Sequence, residues 1–339
     1  MDNNEVIANN EEVFPPSVLR LWLENNSPSI FYDRLKSLVM GQDGALKKAA
    51  ILIYGFIIAM ANNRFEKKFH FLIEGSSGCG KSTFAYALQE LLPCPVIVAD
   101  ASSITPAGYK GADIGDIISA KSIEDFWGCC VLVLDEVDKL MQPTHSSTDG
   151  NFHLEALHTL LKLMDGGIIT TRNGNQIYCN KILVIGMGAF TPLRQSQREN
   201  TQCIGFFSEV PQPALELTEE NISKEQMTSF CGSEQFLGRF LSVLHFKKLN
   251  KDMLLRIAWQ TEAEIREIYG CGFSLPHERR LEIVDQAMET DFGARGIKSA
   301  VWEEFLSSDE DWVIKDEQAF PEVDFDSFYE KYKQTILSA

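Results

Sequence analysis

Two stretches of this sequence combine residue types that could hold a phosphate group and a divalent cation. Residues 70–83, HFLIEGSSGCGKST, begin with the alternating apolar residues of a strand and then enter a glycine-rich turn. The turn matches the pattern G-x-x-x-x-G-K-[ST] at every fixed position. Its small residues let consecutive backbone N–H groups point at one anion, and the helix predicted to begin at Lys81 directs its positive end there. The stretch predicts a phosphate-binding loop.

The residues of this loop have distinct expected contributions. Lys81 is expected to reach the β- and γ-phosphates of a nucleoside triphosphate, and Ser82 is expected to hold Mg²⁺. The predicted nucleotide-binding residues of the loop are Gly75, Ser76, Ser77, Gly78, Cys79, Gly80, Lys81, Ser82 and Thr83. The alternative is a glycine turn that binds nothing. It is disfavoured because strand, loop and helix follow in the order that the motif requires.

The second stretch is residues 130–138, CVLVLDEVD, an apolar run that ends in acids. A buried strand of this kind places its last residues at the carboxyl edge of a parallel sheet, where such folds bind ligands. Asp135 can then support the Mg²⁺ held by Ser82, and Glu136 can polarise a water for attack on the γ-phosphate. The alternative is a strand that ends in solvated acids.

Composition limits the partners and the compartment. The chain has 339 residues, 45% of them apolar, and a net charge of −17, which opposes general contact with a nucleic-acid backbone or an anionic membrane. Eight cysteines include no C-x-x-C pair, so we interpret them as reduced core thiols of a cytoplasmic protein. The six histidines show no zinc-like spacing with cysteine, and we predict no metal site built from side chains alone.

Neither the amino terminus nor the longest apolar run predicts membrane targeting. Residues 1–16 are acidic and polar and lack the basic and apolar regions of a secretory signal. The apolar run at residues 49–61 is, on its own, too short to span a bilayer, and lysines and an asparagine flank it as they would a core helix. We therefore expect a buried helix there.

The order of predicted elements favours an α/β fold. Apolar strands are predicted at residues 69–74, 95–99, 130–135, 181–187 and 242–246, with helices between them at residues 81–92 and 152–164. This alternation favours a parallel sheet. Residues 168–179 predict a hairpin around Asn173-Gly174. Helical patterns at residues 252–269, 277–290 and 296–305 predict a second, mostly helical domain, joined near residues 246–250, with one short strand at residues 312–314.

Two predicted loops contain apolar side chains, and each of these loops allows two interpretations. Tyr109, between Gly108 and Gly111, is either folded back on the core or held out to grip a partner. The apolar group at residues 204–207 lies inside the polar stretch 191–218 and is either tucked into its own domain or docks on another protein. Periodicity does not choose between these interpretations.

With these landmarks placed, the sequence resembles the AAA+ ATPases, and among them the ClpX type of protein unfoldase, from about residue 39 to residue 314. The resemblance implies a P-loop large domain with a three-layer parallel sheet, a smaller helical lid domain, and six identical subunits in a ring with a central pore. It divides the chain into a tail with a short helical segment at 1–38, the large α/β domain at 39–247, the small domain at 248–318 and a tail or helix at 319–339.

The resemblance also implies roles for residues outside the two motifs. Val39 and Met40 resemble the adenine-side box, and Tyr109 resembles the pore-loop aromatic that grips substrate. Arg239 resembles the arginine finger that reaches a neighbour's γ-phosphate, and Arg295 resembles the sensor 2 residue of its own subunit. From residue types alone, either arginine would be an ordinary surface charge. Ile204, Gly205 and Phe206 resemble the loop by which such rings dock onto a ClpP-type peptidase.

Several departures from the family pattern leave substrate class and peptidase pairing open. Residues 1–38 contain no cysteine, so we do not expect the family's amino-terminal zinc domain in this stretch. The basic insert near the pore entrance is shortened to the turn at residues 172–174, and Lys110 follows Tyr109 where an aliphatic residue is usual. Residues 142–150 contain no arginine, and the sensor 1 region at 186–188 offers no polar side chain.

The resemblance implies an unfoldase that uses ATP and Mg²⁺, acts on protein substrates and passes them to a possible peptidase. One rival is a nucleic-acid motor of the same superfamily, which the net charge of −17 and the acidic stretch at residues 309–316 disfavour. A second rival is a remodelling ATPase or nucleotide-gated scaffold that acts without a peptidase. The intact Glu136 argues against a mere scaffold, whereas the lost accessory parts argue for it.

Overall fold

The computed structural model describes residues 16–104, 114–119, 128–141, 150–171, 174–194, 222–231, 233–290 and 292–308. The chain divides into two compact units, of which the first ends at Lys248 and the second begins at Leu249. The sequence-based boundary lay between residues 247 and 248.

The first unit is built on a parallel sheet. The strands of this unit are β1 (Phe71–Gly75), β2 (Val96–Asp100), β3 (Cys130–Asp135), β4 (Ile168–Thr170), β5 (Gln176–Tyr178), β6 (Ile182–Gly188) and β7 (Ser242–Phe246). Five of these form one sheet in the order β2-β3-β6-β1-β7, and the paired strands all run parallel. The α/β class predicted from the alternation of strands and helices is confirmed. The strand β1 lies between β6 and β7, so the loop that follows it has a strand end on either side.

Helices cover both faces of this sheet. Those of the first unit are α1 (Pro16–Asn25), α2 (Pro28–Leu38), α3 (Asp43–Ala61), α4 (Lys81–Leu91), α5 (Ile114–Ser119), α6 (Val137–Met141), α7 (Gly150–Met164), α8 (Lys224–Cys231) and α9 (Glu234–Gly238). Alternate residues of each strand enter different cores. In β1, Phe71 and Ile73 join the core beneath α1 to α4, whereas Leu72 joins the core beneath α5 to α9. The result is a three-layer unit with two apolar cores.

The described residues before residue 39 pack on the first of these cores. Leu19, Phe31 and Leu35 are buried there. Trp22 donates its indole N–H to the carbonyl of Leu91 at 3.0 Å, which satisfies one of the carbonyl groups left free at the end of α4. The helices α1 and α2 therefore act as a cover over α3 and α4.

The helix α3 is longer than the apolar run that it contains. The run at 49–61 is, on its own, too short for a bilayer, but the helix begins at Asp43 and has 19 residues, long and apolar enough to cross a membrane by length and composition alone. More than half of it is buried inside the protein, as in a core helix, with Ile53, Phe56 and Ile57 in the apolar core. Burial, and not length, supports the predicted core helix.

The predicted hairpin around residues 173–174 is confirmed by β4 and β5. These strands pair antiparallel with Ile168 opposite Tyr178. Gly174 has a φ of 83°, which a glycine adopts at little cost. Residues 172 and 173 of the turn lie outside the described residues.

His70, just before β1, fastens three segments of the first unit. Its Nδ1 accepts from the backbone N–H of Val184 at 3.0 Å, so its Nε2 carries the proton and donates to the carbonyl of Met164 at 3.0 Å. Its own carbonyl accepts from the N–H of Leu241 at 2.7 Å. A single buried residue therefore ties β6, the end of α7 and the entry to β7 together.

The second unit is helical in its described part. It contains α10 (Lys251–Tyr269), α11 (His277–Glu289) and α12 (Gly293–Ser307). Its core holds a buried ion pair, since Arg280 donates to both carboxylate oxygens of Glu262 at 2.7 and 3.0 Å and lies 3.6 Å from the ring of Trp259. The strand predicted at residues 312–314 and the segment 319–339 lie outside the described residues.

The neutral form of His70 predicts a pH dependence of stability. Burial lowers the pKa of His70 to about 4, whereas an unfolded histidine titrates near 6.5. Between these values the unfolded chain binds the extra proton. The contribution of His70 to the free energy of unfolding is therefore complete above about pH 6.5 and is lost as the pH falls towards 4, by at most about 1.4 kcal/mol per unit.

We expect His70→Gln to lose this pH-dependent contribution and to be less stable at pH 7 by about 1–3 kcal/mol. Chemical denaturation at several pH values, compared with wild type, measures both effects. The exposed histidine of α7 provides the control, since His158→Gln should change neither. A wild-type and a His70→Gln chain with the same dependence on pH would contradict the assignment.

Candidate active site

The loop after β1 adopts a conformation that depends on glycine. Gly78 and Gly80 have φ values of 70° and 102°, in the left-handed region. At Gly75 a Cβ atom would lie 2.7 Å from the carbonyl oxygen of Phe246 and 2.8 Å from the sulfur of Cys79. The helix α4 begins directly after the loop, at Lys81, with no side chain capping its first turn. The free N–H groups of that turn therefore face the loop.

Two polar groups in the loop suit a phosphate ligand. Lys81 folds over the loop and donates from its Nζ to the carbonyls of Gly75 and Ser76, at 2.6 and 2.9 Å. The hydroxyl of Ser76 is buried, and within the part of the chain that the structure describes it has no hydrogen-bond partner. A buried hydroxyl without a partner costs free energy, and a phosphate oxygen at the loop would remove that cost. The loop therefore fits an anion of this type.

The remaining predicted residues of the loop differ in how far they are buried. Cys79 is buried, with its sulfur 3.9 Å from the Nζ of Lys81. Ser82 is half-buried in the first turn of α4, where its hydroxyl could hold a cation, and Ser77 and Thr83 are exposed. The structure thus brings the predicted phosphate-binding residues together in one loop and one helix turn.

The acids of the second motif end the strand β3. This strand is separated from β1 by β6 alone, which places Asp135 roughly 10 Å from the end of β1. Asp135 accepts a hydrogen bond from the N–H of Glu136 at 2.9 Å. Within the described ranges, no group of three or more His, Cys, Asp or Glu side chains could hold a metal ion. A cation here would need oxygen atoms from a ligand or from water besides Asp135 and Ser82.

Glu136 has a strained backbone. Its φ is 55°, a left-handed conformation that costs a residue other than glycine about 1 kcal/mol or more. Its half-exposed carboxylate pairs with Lys139, one turn along α6. Such outliers concentrate at functional sites, where the surrounding structure holds them. The strain directs attention to Glu136 independently of the sequence motif.

The end of β6 lies close to Asp138, the last acid of the second motif. A Cβ atom at Gly188 would lie 2.7 Å from a carboxylate oxygen of Asp138, which is buried and accepts from the N–H of Phe190 at 3.0 Å. Burial raises the pKa of Asp138. At Gly186 a Cβ would lie 2.6 Å from Leu72. Close packing therefore explains why this strand carries glycines.

Val39, Met40 and Gln42, in the turn before α3, lie beside the loop. Val39 is buried and Met40 is half-buried. The buried amide of Gln42 donates to the carbonyls of Cys79 and Lys247, at 3.0 and 2.8 Å, and accepts from the N–H of Lys247 at 2.8 Å. This one side chain ties the turn, the phosphate-binding loop and the end of β7 together. Sequence pattern did not predict this role for Gln42.

A second buried polar group was missed by the sequence analysis. Glu74 precedes the loop and is 1% exposed in a strand that is otherwise apolar. It pairs with Arg194, at the end of the helical turn 191–194, and its second carboxylate oxygen accepts from Nδ1 of His245 in β7 at 2.8 Å. Burial, with Lys48 and Arg194 nearby, lowers the pKa of His245. An acid inside an apolar strand was the signal that could have revealed this cluster.

Comparison with known proteins agrees with this site. A family model described as "AAA domain (Cdc48 subfamily)" matches residues 66–243, more than half of the chain. The chain belongs to the AAA ATPases.

Curated proteins add a more specific similarity. The chain is 26% identical over 306 residues to proteins from two strains of Porphyromonas gingivalis, each named "ATP-dependent Clp protease ATP-binding subunit ClpX". That match covers 79% of this chain and 73% of the relative. A protein of the same name from Treponema denticola is 26% identical over 310 residues, covering 81% of this chain and 74% of the relative. This AAA ATPase is therefore ClpX-like, as the sequence predicted.

The two arginines predicted for this AAA ATPase lie in different units. Arg239 lies in the first unit, away from the phosphate-binding loop, and Arg295 lies in the second unit. Arg239 precedes β7, whose first residue pairs with the first residue of β1, so it lies at the amino edge of the sheet. The loop lies at the carboxyl edge, a strand length of roughly 16 Å away. Arg295 lies in the first turn of α12 in the second unit. Tyr109, Ile204, Gly205 and Phe206 lie outside the described residues.

The contacts of Gln42 predict that nucleotide binding in this AAA ATPase depends on it. We expect Gln42→Leu, which keeps the volume but removes three hydrogen bonds, to lower the free energy of unfolding by about 1–3 kcal/mol and to weaken nucleotide binding. Titration with a fluorescent nucleotide and chemical denaturation measure the two effects. Gln89→Leu is a control, since Gln89 donates to Val96 away from the loop. Unchanged nucleotide affinity in Gln42→Leu would refute the role.

Proposed function

We propose that this chain is a ClpX-like unfoldase that hydrolyses ATP with Mg²⁺ and threads protein substrates through the pore of a ring of six copies. One observation carries the proposal. The glycine loop with Lys81 and the acids Asp135 and Glu136 share the carboxyl edge of the sheet, while Arg239 lies at the opposite edge. A site of this kind is complete only when another copy supplies the arginine.

The first part of the mechanism is charge neutralisation. Lys81 would exchange its bonds to the loop carbonyls for bonds to the β- and γ-phosphates, and the loop N–H groups with the Ser76 hydroxyl would hold phosphate oxygens. When bound, Mg²⁺ would offset part of the phosphate charge, and Ser82 and Asp135 are the residues that would hold it. The unsatisfied hydroxyl of Ser76 and the oxygen donors at this edge support the fit.

The second part is attack by water on the γ-phosphate. The Glu136 carboxylate would orient the water and take up its proton, after leaving its contact with Lys139. Arg239 of an adjacent subunit would stabilise the charge that develops in the transition state. Arg295 would contact the nucleotide of its own subunit, and Val39 and Met40 would line the adenine side.

The partners follow from the resemblance. Tyr109 would grip the substrate polypeptide in the pore, and Ile204, Gly205 and Phe206 would dock onto a ClpP-type peptidase. Similarity to relatives named as ATP-binding subunits of a protease supports this pairing. Six cysteines of the described part of the chain, Cys79, Cys94, Cys129, Cys130, Cys179 and Cys271, are free and buried, which suits a reducing cytoplasm. A net charge of −17 disfavours nucleic acid and membranes as partners.

Replacement of Glu136 tests the proposed function directly. We expect Glu136→Gln to bind ATP as wild type does but to hydrolyse it about 100-fold more slowly or worse, because the amide cannot accept the proton of the attacking water. Steady-state ATP turnover and nucleotide titration separate the two effects. Unchanged turnover would exclude the motor and favour a nucleotide-gated scaffold. Stimulation of turnover by DNA and not by an unfolded protein would favour the nucleic-acid motor.

A pair of loop variants tests the two proposed protein contacts. We expect Tyr109→Ala to retain most ATP turnover but to lose unfolding of a tagged fluorescent protein, because the aromatic side chain that contacts the substrate in the pore is removed. Phe206→Ala is the matched variant. It should keep unfolding and lose co-purification with a ClpP-type peptidase. Unfolding by Tyr109→Ala at the wild-type rate would remove Tyr109 from the proposed role.

A further inference from the structure

The guanidinium of Arg239 is held by its own chain. It forms a two-point ion pair with Asp165, in which Nε and one terminal nitrogen donate to the two carboxylate oxygens at 2.9 and 3.0 Å. The other terminal nitrogen donates to the carbonyl of Gln235 at 3.0 Å. Three separate bonds therefore fix both the position and the plane of this side chain, although it is about one-third exposed.

These bonds leave two donors of the guanidinium unused. The group has five N–H donors in a plane, and the bonds to Asp165 and Gln235 use three of them. The two that remain belong one to each terminal nitrogen. Both terminal nitrogens therefore keep a donor that could contact a phosphate oxygen.

The segments that carry Asp165 and Arg239 share an anchor. Met164, the neighbour of Asp165, accepts a hydrogen bond from the His70 ring, and Leu241, two residues after Arg239, donates to the His70 carbonyl. The backbone of the turn at residues 165–167 is also fixed, since the N–H groups of Asp165, Gly166 and Gly167 bond to carbonyls of α7. The pair is thus built from two rigid supports.

The carboxylate of Asp165 is charged at neutral pH. The hydrogen bond from Arg239 lowers the pKa of Asp165, and the charge of Lys68 adds a smaller effect in the same direction. Lys68 lies close by, since a Cβ on Gly166 would be 2.6 Å from its Nζ. The charged pair therefore persists across the physiological pH range.

We propose that Asp165 is a positioning residue for ATP hydrolysis, which orients Arg239 at the amino edge so that its two remaining N–H donors face the nucleotide site of an adjacent subunit. The inference rests on the proposed function, in which Arg239 acts on a neighbour. An arginine whose orientation is fixed in advance loses less freedom when it meets the transition state than one that is free to rotate.

The first test separates turnover from binding in the assembled protein. Asp165→Asn should lower kcat roughly 10-fold or more, with KM for ATP and the assembly state unchanged, because the residue does not touch its own subunit's nucleotide. Asp165→Glu keeps the charge and should retain more activity than Asp165→Asn. Glu264→Gln removes an exposed ion pair with Lys298 in the second unit and should have no effect. A wild-type kcat in Asp165→Asn would overturn the inference.

A double-mutant comparison establishes whether Asp165 acts through Arg239. In an Arg239→Ala chain, adding Asp165→Asn should cause no further loss of kcat. An equal loss in both backgrounds would mean that Asp165 acts elsewhere and would overturn the inference. If Arg239→Ala itself has wild-type kcat in the assembled protein, the proposed function fails. Loss of kcat in Arg239→Ala with none in Asp165→Asn defeats this inference alone.

Mixed assemblies test the direction of the effect. Subunits with Glu136→Gln keep the arginine but lack hydrolysis, whereas subunits with Arg239→Ala keep the nucleotide site, so mixing the two should restore part of the turnover. Adding Asp165→Asn to the Glu136→Gln subunits should abolish most of this restored turnover. Adding it to the Arg239→Ala subunits should leave it unchanged. Equal loss in both arrangements, which a general folding defect would cause, would contradict the positioning role.

Discussion

The polarity of the parallel sheet is the constraint on which the rest of this structure depends. All five strands end at the same edge, so β1 delivers the glycine loop, and β3 delivers its acids, to one side. Residues that precede the strands, among them His70, Arg239 and Leu241, lie at the other side. Nothing short of unfolding β7 would bring Arg239 to the loop of its own chain. A nucleotide site that uses this arginine therefore has to be shared between two copies.

Buried polar side chains connect the two edges to the apolar sheet. Gln42 joins the phosphate-binding loop to β7, Glu74 joins β1 to His245 and Arg194, and His70 joins β6 to α7. Each of these groups is costly to bury unless it is paired, so each fixes one arrangement of the segments that it joins. Movement of the loop would be transmitted to the end of β7 through Gln42. Movement of α7 would displace the turn that carries Asp165.

Much of the fold followed from local sequence pattern, because strand alternation, the glycine loop and the acids after β3 are local signals. The site residues near the loop could be placed for the same reason. The contacts of Gln42 with Lys247 could not, since they join residues far apart in the chain. The hydrogen bonds of the His70 ring could not be predicted either, because periodicity indicates which face of a strand a side chain occupies but not which group it bonds to.

In the proposed function, one copy of the chain cannot complete its own nucleotide site. ATP turnover per subunit, measured over a range of protein concentrations with the assembly state followed by sedimentation, tests this most directly. We expect turnover close to zero wherever the chain is monomeric, rising in parallel with the assembled fraction. A monomer that hydrolyses ATP as fast per subunit as the assembly would contradict it.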